Sequence, residues 1–282
     1  MTTYSFVPSE FEDKKFKCID LHPVIQNRPF TPHLPKGYEN PAYILTPDQM
    51  KYSIIQWLAF SSEFIEIQAM HLVRAPTKAM RKMARNILVN ELGVPITHET
   101  GNAEGHRFSH YLAHVEWMEE MAELLEIDTT LLDYWQRANE KTKEFLAILR
   151  ETYGSRDWSV SAGASFALER LGEYGLPQNG KIGNIPNASL GKNFWSEELA
   201  GLELFNQTHR LPFGLIPLPH KFFAYHKKFE SSHMVNANKE LDNILAQQWF
   251  NEEQWLFGAK KTLDGVYLFF EGREEYKNNS EY

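Results

Sequence analysis

The stretch that decides the fold is residues 46–72, TPDQMKYSIIQWLAFSSEFIEIQAMHL. It opens with a capping hydroxyl at Thr46, then Pro47 at the first helical position and an acid, Asp48, in the first turn, a strong helix-start signal. Behind that start Ile54, Trp57, Leu58, Ser61, Phe64, Ile65, Ala69 and Leu72 recur at intervals of three and four. That spacing lays one apolar stripe along a long helix.

The same period continues outward from this helix. Residues 77–92 read as a second helix, ended by Gly93 and Pro95, with a polar loop from Thr97 to Gly105. Further helices are expected over about Arg107–Ile127, Thr129–Tyr153 with Asp128 as its N-cap, and Asp157–Tyr174. A Gly-, Pro- and Asn-rich loop follows from Gly175 to Lys192. Helices near Phe194–Phe205, His220–Phe250 and Asn251–Tyr276 complete the chain, the first two joined by a Pro-punctuated link from Leu211 to Pro219. Strand-like alternation is almost absent and no fixed repeat is visible. The fold class is therefore all-α, a bundle of about seven or eight helices. Residues 1–45 hold Pro8, Pro23, Pro29, Pro32, Pro35 and Pro41 and no sustained period. They read as an extended arm packed on a single domain of residues 46–282.

Composition narrows the function classes. With 29 basic against 37 acidic residues the formal charge is −8, which argues against nucleic-acid binding and against electrostatic attachment to a membrane. The N-terminus has neither a basic segment nor an apolar core of a signal peptide, so a cytoplasmic protein is expected. One cysteine, Cys18, excludes an internal disulfide and a cysteine-based zinc site. Aromatic residues make up 13% of the chain, bulky material for a core and for a pocket wall. Eleven histidines beside the acidic excess suggest a metal site if they converge.

Convergence is best marked at Phe222-Phe223-Ala224-Tyr225-His226-Lys227-Lys228-Phe229-Glu230-Ser231-Ser232-His233. His226, Glu230 and His233 stand at i, i+4 and i+7, so one helix face aims two imidazoles and a carboxylate together. Lys227 and Lys228 are compatible with a solvated face, whereas Phe222, Phe223 and Phe229 favour an inward one. Other helices offer partners. Glu91 closes the second helix. His106, His110 and His114 form a stripe on which His110 sits in established helix, while His114 adjoins an acidic outer face of Glu116, Glu119 and Glu120. Glu169 and Glu173 stand one turn apart, Glu169 with Arg170 beside it.

A Glu closing an early helix, a His opening the next, a Glu four residues before a Pro, and His-x-x-x-Glu-x-x-His after a Phe-Phe pair together resemble the heme-oxygenase-like diiron oxidases over roughly residues 46–275. The resemblance implies a heme-oxygenase-like bundle in which Glu91 and His110 ligate one metal, Glu173 is shared, and His226, Glu230 and His233 serve mainly the second. It implies two iron ions, with manganese or a mixed pair as variants, and dioxygen as co-substrate. The implied activity is oxidation of a small amino-acid, amine or fatty-acid-like substrate, by nitrogen hydroxylation, decarboxylation or C–C cleavage. This chain departs from the family's pattern in having Glu230 where Asp is usual, and in a longer interval from Glu91 to His110, which leaves His106 as a rival ligand; separately, Glu169 stands as a rival to Glu173. The helix pattern resembles equally the metal-free relatives of this superfamily, thiaminase-like hydrolases and cofactorless quinone-forming oxidases. The first need a nucleophilic cysteine in the bundle, whereas Cys18 lies in the arm; heme binding would need a histidine on the first helix, where His71 comes late. A binding or regulatory bundle without catalysis is the third class. The partner expected is a small molecule, and a homodimer is the commonest soluble assembly.

Overall fold

The computed structural model describes residues 9–26, 45–94, 113–130, 133–173 and 194–276. Among them regular structure is entirely helical. In chain order the helices are α1 Ser9–Cys18, α2 Pro23–Gln26, α3 Pro47–Arg74, α4 Lys78–Glu91, α5 His114–Leu124 and α6 Tyr134–Arg137. Then follow α7 Glu140–Tyr153, α8 Trp158–Glu173, α9 Phe194–Phe205, α10 Lys221–Leu245 and α11 Glu252–Glu274. No described helix is long and apolar enough to cross a membrane.

Helix α3 starts where its cap dictates. Thr46 Oγ1 accepts from the Gln49 backbone N–H while Gln49 Oε1 accepts from the Thr46 N–H, a reciprocal capping box, and Pro47 takes the first position. The first part of its apolar stripe runs through the core, with Ile54, Trp57, Leu58 and Phe64 buried, whereas Ile65, Ala69 and Leu72 are only half-buried; Trp57 meets Phe222, Phe223 and Phe269 edge-on at 5.2–5.7 Å. Helices α8 and α11 cross most closely. A Cβ on Gly163 would lie 2.0 Å from the Trp255 carbonyl oxygen, and one on Gly258 would lie 2.1 Å from that of Val160. Two glycines facing opposite backbones thus set how near α8, which carries Glu169 and Glu173, can approach.

Four boundaries differ from the sequence reading. Helix α5 starts at His114 behind an extended Ala113, inside the stretch expected as one helix from about Arg107. The stretch expected as one helix from Thr129 is split, because Ala138 is extended and Asn139 caps α7 by accepting from the Thr142 N–H. Asn139 is held there from afar: its backbone N–H donates to Gln56 Oε1 and its amide donates to Tyr52 Oη and the Gly272 carbonyl. Asp128 closes only a local turn onto Thr130. At the end of α10 the helix stops at Leu245, with short turns leading to Asn251, the cap of α11. The fourth difference is the arm. Residues 9–18 are helical, with Glu10 and Glu12 in the first turn, Lys15 and Lys17 in the last, and Lys14–Glu10 and Lys17–Asp13 pairs at i, i+4. Phe11 anchors α1 against Trp255 and Phe250 of the α11 end, at ring separations of 5.4 and 5.7 Å. The proline density misled because it lies on either side of this segment, which is itself free of proline between Pro8 and Pro23.

Candidate metal centre

Helix α4 ends by a glycine-dependent motif that aims its last side chains. Gly93 adopts φ +94°, its N–H donates to the Asn90 carbonyl, and the Val94 N–H reaches back to the Val89 carbonyl. This six-to-one and five-to-two pair of bonds is the Schellman stop. It leaves Glu91 buried at the helix end.

Facing Glu91 is His114, the first residue of α5, whose Nδ1 lies 2.6 Å from Glu91 Oε2. His114 stacks on Trp117 and is in edge contact with Tyr225 and His226. From α10, His226 donates Nδ1–H to the Phe222 carbonyl at 2.8 Å and stacks on Trp195 with ring centroids 4.3 Å apart. A carbonyl only accepts, so the proton is on Nδ1 and the Nε2 lone pair is available as a ligand. Glu91, His114 and His226 each offer a ligand atom within 4.8 Å of the others, and all three are buried. His114 Nε2 is buried with no hydrogen-bond partner among the described residues. Such a ring nitrogen costs stability unless something binds it, so the donor set fits a cation.

Electrostatics agree with that. Burial would push the Glu91 carboxyl up, but the charge and hydrogen bond of His114, helped by His226 and His233, outweigh it and hold it at about 2. Burial, with His114 alongside, pushes His226 down to about 3 against the pull of Glu91. At neutral pH the site therefore presents an ionised carboxylate and a neutral imidazole, both in metal-binding form. His114, through its 2.6 Å hydrogen bond, is the main partner of Glu91.

A second pair borders the same space. His233 Nδ1 lies 3.3 Å from Glu169 Oε2, and its Nε2 lies 2.7 Å from Asn90 Oδ1. Glu173, one turn on, instead meets Arg170 Nη1 at 3.1 Å, and Arg170 also clasps Asp20 at 2.7 Å. Glu91, Glu169, His226 and His233 together border a cavity whose remaining wall includes Phe60, Phe64, Phe145, Phe194, Trp195 and Phe269. No Lys or Arg lines it among the described residues.

Of the residues expected from sequence, the structure thus gathers Glu91, His226 and His233 at one cavity. It turns Glu173 toward Arg170 and places Glu169 on the cavity. Glu230 lies within α10, but its side chain is outside the described residues, as are His110 and His106 in the segment 95–112. His114, read as adjoining the acidic outer face, is a buried member of the site. The local signal for it was weak: Trp117, three residues on, is the apolar neighbour that turns this face inward. His71 is also buried, yet both its nitrogens are engaged, with Ser161 Oγ at 2.6 Å and Glu240 Oε1 at 3.0 Å. Cys18 lies on α1, donates to the Leu256 carbonyl, and its thiol is pushed up by burial.

Compared with known proteins, the chain matches no family model and no curated protein.

Proposed function

We propose that this protein is a non-heme dimetal oxidase or oxygenase of the heme-oxygenase-like type, using two iron ions and dioxygen to oxidise a small, largely apolar substrate. The observation that carries the reading is that Glu91 and His226 converge with His114, and that Glu91 and His226 together with Glu169 and His233 line one cavity rich in aromatic side chains. Mixed imidazole and carboxylate donors suit iron or manganese, and no thiolate is present to favour softer ions. Bound there, the metals would supply the redox step with dioxygen, with nitrogen hydroxylation, decarboxylation or C–C cleavage as the outcomes open to it. His110, Glu230 and Glu173 stay in the proposal as further ligands or their neighbours.

The chain's own part is binding, orientation and exclusion of water. Trp195 stacks on His226 and Trp117 on His114, fixing both rings. The Phe222 carbonyl holds the His226 proton away from the site. Phe60, Phe64 and Phe269 wall the substrate space with apolar surface, which keeps charged interactions at the metal end strong. With no cationic lining residue among the described residues, a substrate carboxylate would have to be held by the metals.

Of the metal-free alternatives, the thiaminase-like reading is disfavoured by the engaged, burial-raised Cys18 thiol, since a nucleophile needs thiolate. Heme binding through His71 is disfavoured by its two occupied nitrogens. The test is metal analysis after expression in iron-supplemented medium, with optical spectra on adding oxygen to the ferrous protein. Metal near two equivalents and a new visible absorption are expected. A His233→Ala variant that still held two irons and consumed oxygen would sink the assignment, and metal-free wild-type protein would leave the non-catalytic bundle as the better reading.

A further inference from the structure

We infer that Asn90 is a positioning residue that selects which nitrogen of His233 faces the metal. The inference rests on the dimetal reading for its consequence, but on hydrogen-bond chemistry for its premise. Asn90 Nδ2 lies 2.9 Å from the Val94 carbonyl oxygen and 2.7 Å from Tyr225 Oη. The carbonyl can only accept, so the amide must turn its NH2 toward Val94; the flipped amide would set two acceptors against each other. Its Oδ1 is then the atom 2.7 Å from His233 Nε2. An amide oxygen also only accepts, so Nε2 must carry the proton. The lone pair of neutral His233 is left on Nδ1, and Nδ1 is the atom 3.3 Å from Glu169 Oε2.

The consequence is a site for a cation. When the imidazole is neutral its Nδ1 lone pair faces a buried carboxylate oxygen, an arrangement that a bound cation, whether a second ring proton or a metal ion, satisfies. His233 therefore enters the site through Nδ1, with Glu169 as its companion, whereas His226, held by the Phe222 carbonyl, enters through Nε2. The lock is built into the end of α4. The Schellman stop at Gly93 brings the Val94 carbonyl back over Asn90, so one helix terminus supplies both the Glu91 carboxylate and the group that orients His233. Outer partners of this kind fix the tautomer of a ligating histidine, and their loss typically weakens metal binding by about 10–100-fold.

The test compares wild type with Asn90→Asp and Asn90→Leu. Aspartate keeps an acceptor for His233 Nε2–H but lacks the amide donors, and leucine keeps neither. Histidine nitrogen NMR on zinc-loaded protein, zinc serving as a diamagnetic divalent probe, should show His233 protonated at Nε2 and metal-bound at Nδ1 in wild type and Asn90→Asp. Metal titration should show Asn90→Leu binding one equivalent at least about tenfold more weakly, with the other equivalent near wild type and Asn90→Asp close to wild type for both. The inference is overturned if wild-type His233 is metal-bound at Nε2, or if Asn90→Asp loses metal as Asn90→Leu does, since the donors to Val94 and Tyr225 would then matter and not the acceptor. Should Asn90→Leu fail to fold, the wild-type tautomer and Asn90→Asp decide it. Wild type that takes up no divalent metal refutes the dimetal reading instead; the Nε2–H tautomer is then read on metal-free protein at a pH where the ring is neutral, and Nδ1–H there overturns the inference.

Discussion

Replacing His114 by leucine separates the histidine that the structure places beside Glu91 from the one read in the sequence. His114 Nδ1 and Glu91 Oε2 are 2.6 Å apart, and their side chains are only 2% and 8% exposed. Removing one member of a buried pair leaves the other charge without compensation, which costs about 3–5 kcal/mol. His226 remains nearby as a weaker partner, so the lower end, about 3 kcal/mol, is the expectation for metal-free protein. For a chain of this size that corresponds to a fall in Tm of roughly 5 °C. The double variant Glu91→Leu/His114→Leu removes both members of the pair and should recover much of the loss, because an apolar replacement of a buried pair is often neutral or stabilising. The assay is thermal and denaturant unfolding of chelator-treated protein, followed by helical circular dichroism, with metal content measured on untreated samples. His114→Leu should also lose at least one metal equivalent, and His110→Leu provides the comparison. If His114→Leu melts within about 2 °C of wild type and keeps its metal while His110→Leu loses it, the assignment of His114 is refuted.

Three further outcomes follow from the same geometry. Glu169→Gln should cut bound metal from about two equivalents toward one while Glu173→Gln retains both, a contrast read by elemental analysis; the reverse ranking would return Glu173 to the site. Gly163→Ala places a methyl 2.0 Å from a backbone carbonyl that cannot rotate aside. Overpacking of about 3 kcal/mol set against about 1 kcal/mol of helix propensity gives a net loss of about 2 kcal/mol by denaturant melts, and a variant as stable as wild type would contradict the close crossing of α8 and α11. His22 accepts from the Val24 N–H at Nδ1 and lies 3.1 Å from Asp264 through Nε2, and burial pushes it below its ordinary value despite Asp264. The folded state then binds fewer protons than the unfolded one, so its contribution is full above about pH 6.5 and is lost as pH falls below it. His22→Gln should flatten the decline in stability between pH 7 and 5, as measured by urea midpoints.

What was legible in the sequence was whatever a few adjacent residues settle. The starts of α3 at Thr46-Pro47 and α11 at Asn251, and the whole span of α9, are local matters of caps and period. The inward face of α10 was legible too, since Phe222 and Phe223 travel with His226 at helical spacing. The break at Asn139 was not, because the groups holding it come from Tyr52, Gln56 and Gly272. His114 was masked by its acidic neighbours. Its burial depends on Trp117 and on Tyr225 and His226 of another helix, and on a carboxylate 23 positions earlier. Tertiary partners distant in sequence decide such positions, and periodicity carries no record of them.

The choice between Glu169 and Glu173 shows how far away such a decision is made. Both are buried on α8, and Arg170 stands between them in sequence with a guanidinium able to serve either. Asp20, just past the end of α1, takes its Nε and Nη2 at 3.0 and 2.7 Å. That fixes the plane of the fork, and the remaining Nη1 reaches Glu173 one turn along. A planar donor set held at one edge has little freedom at the other. Glu173 is thereby neutralised by an arginine, which leaves it a poor competitor for a metal, while Glu169 faces His233 with no cationic side chain bordering the cavity among the described residues. The N-terminal segment, which the proline count suggested was an extended wrapping, thus helps determine which carboxylate the bundle presents to its interior.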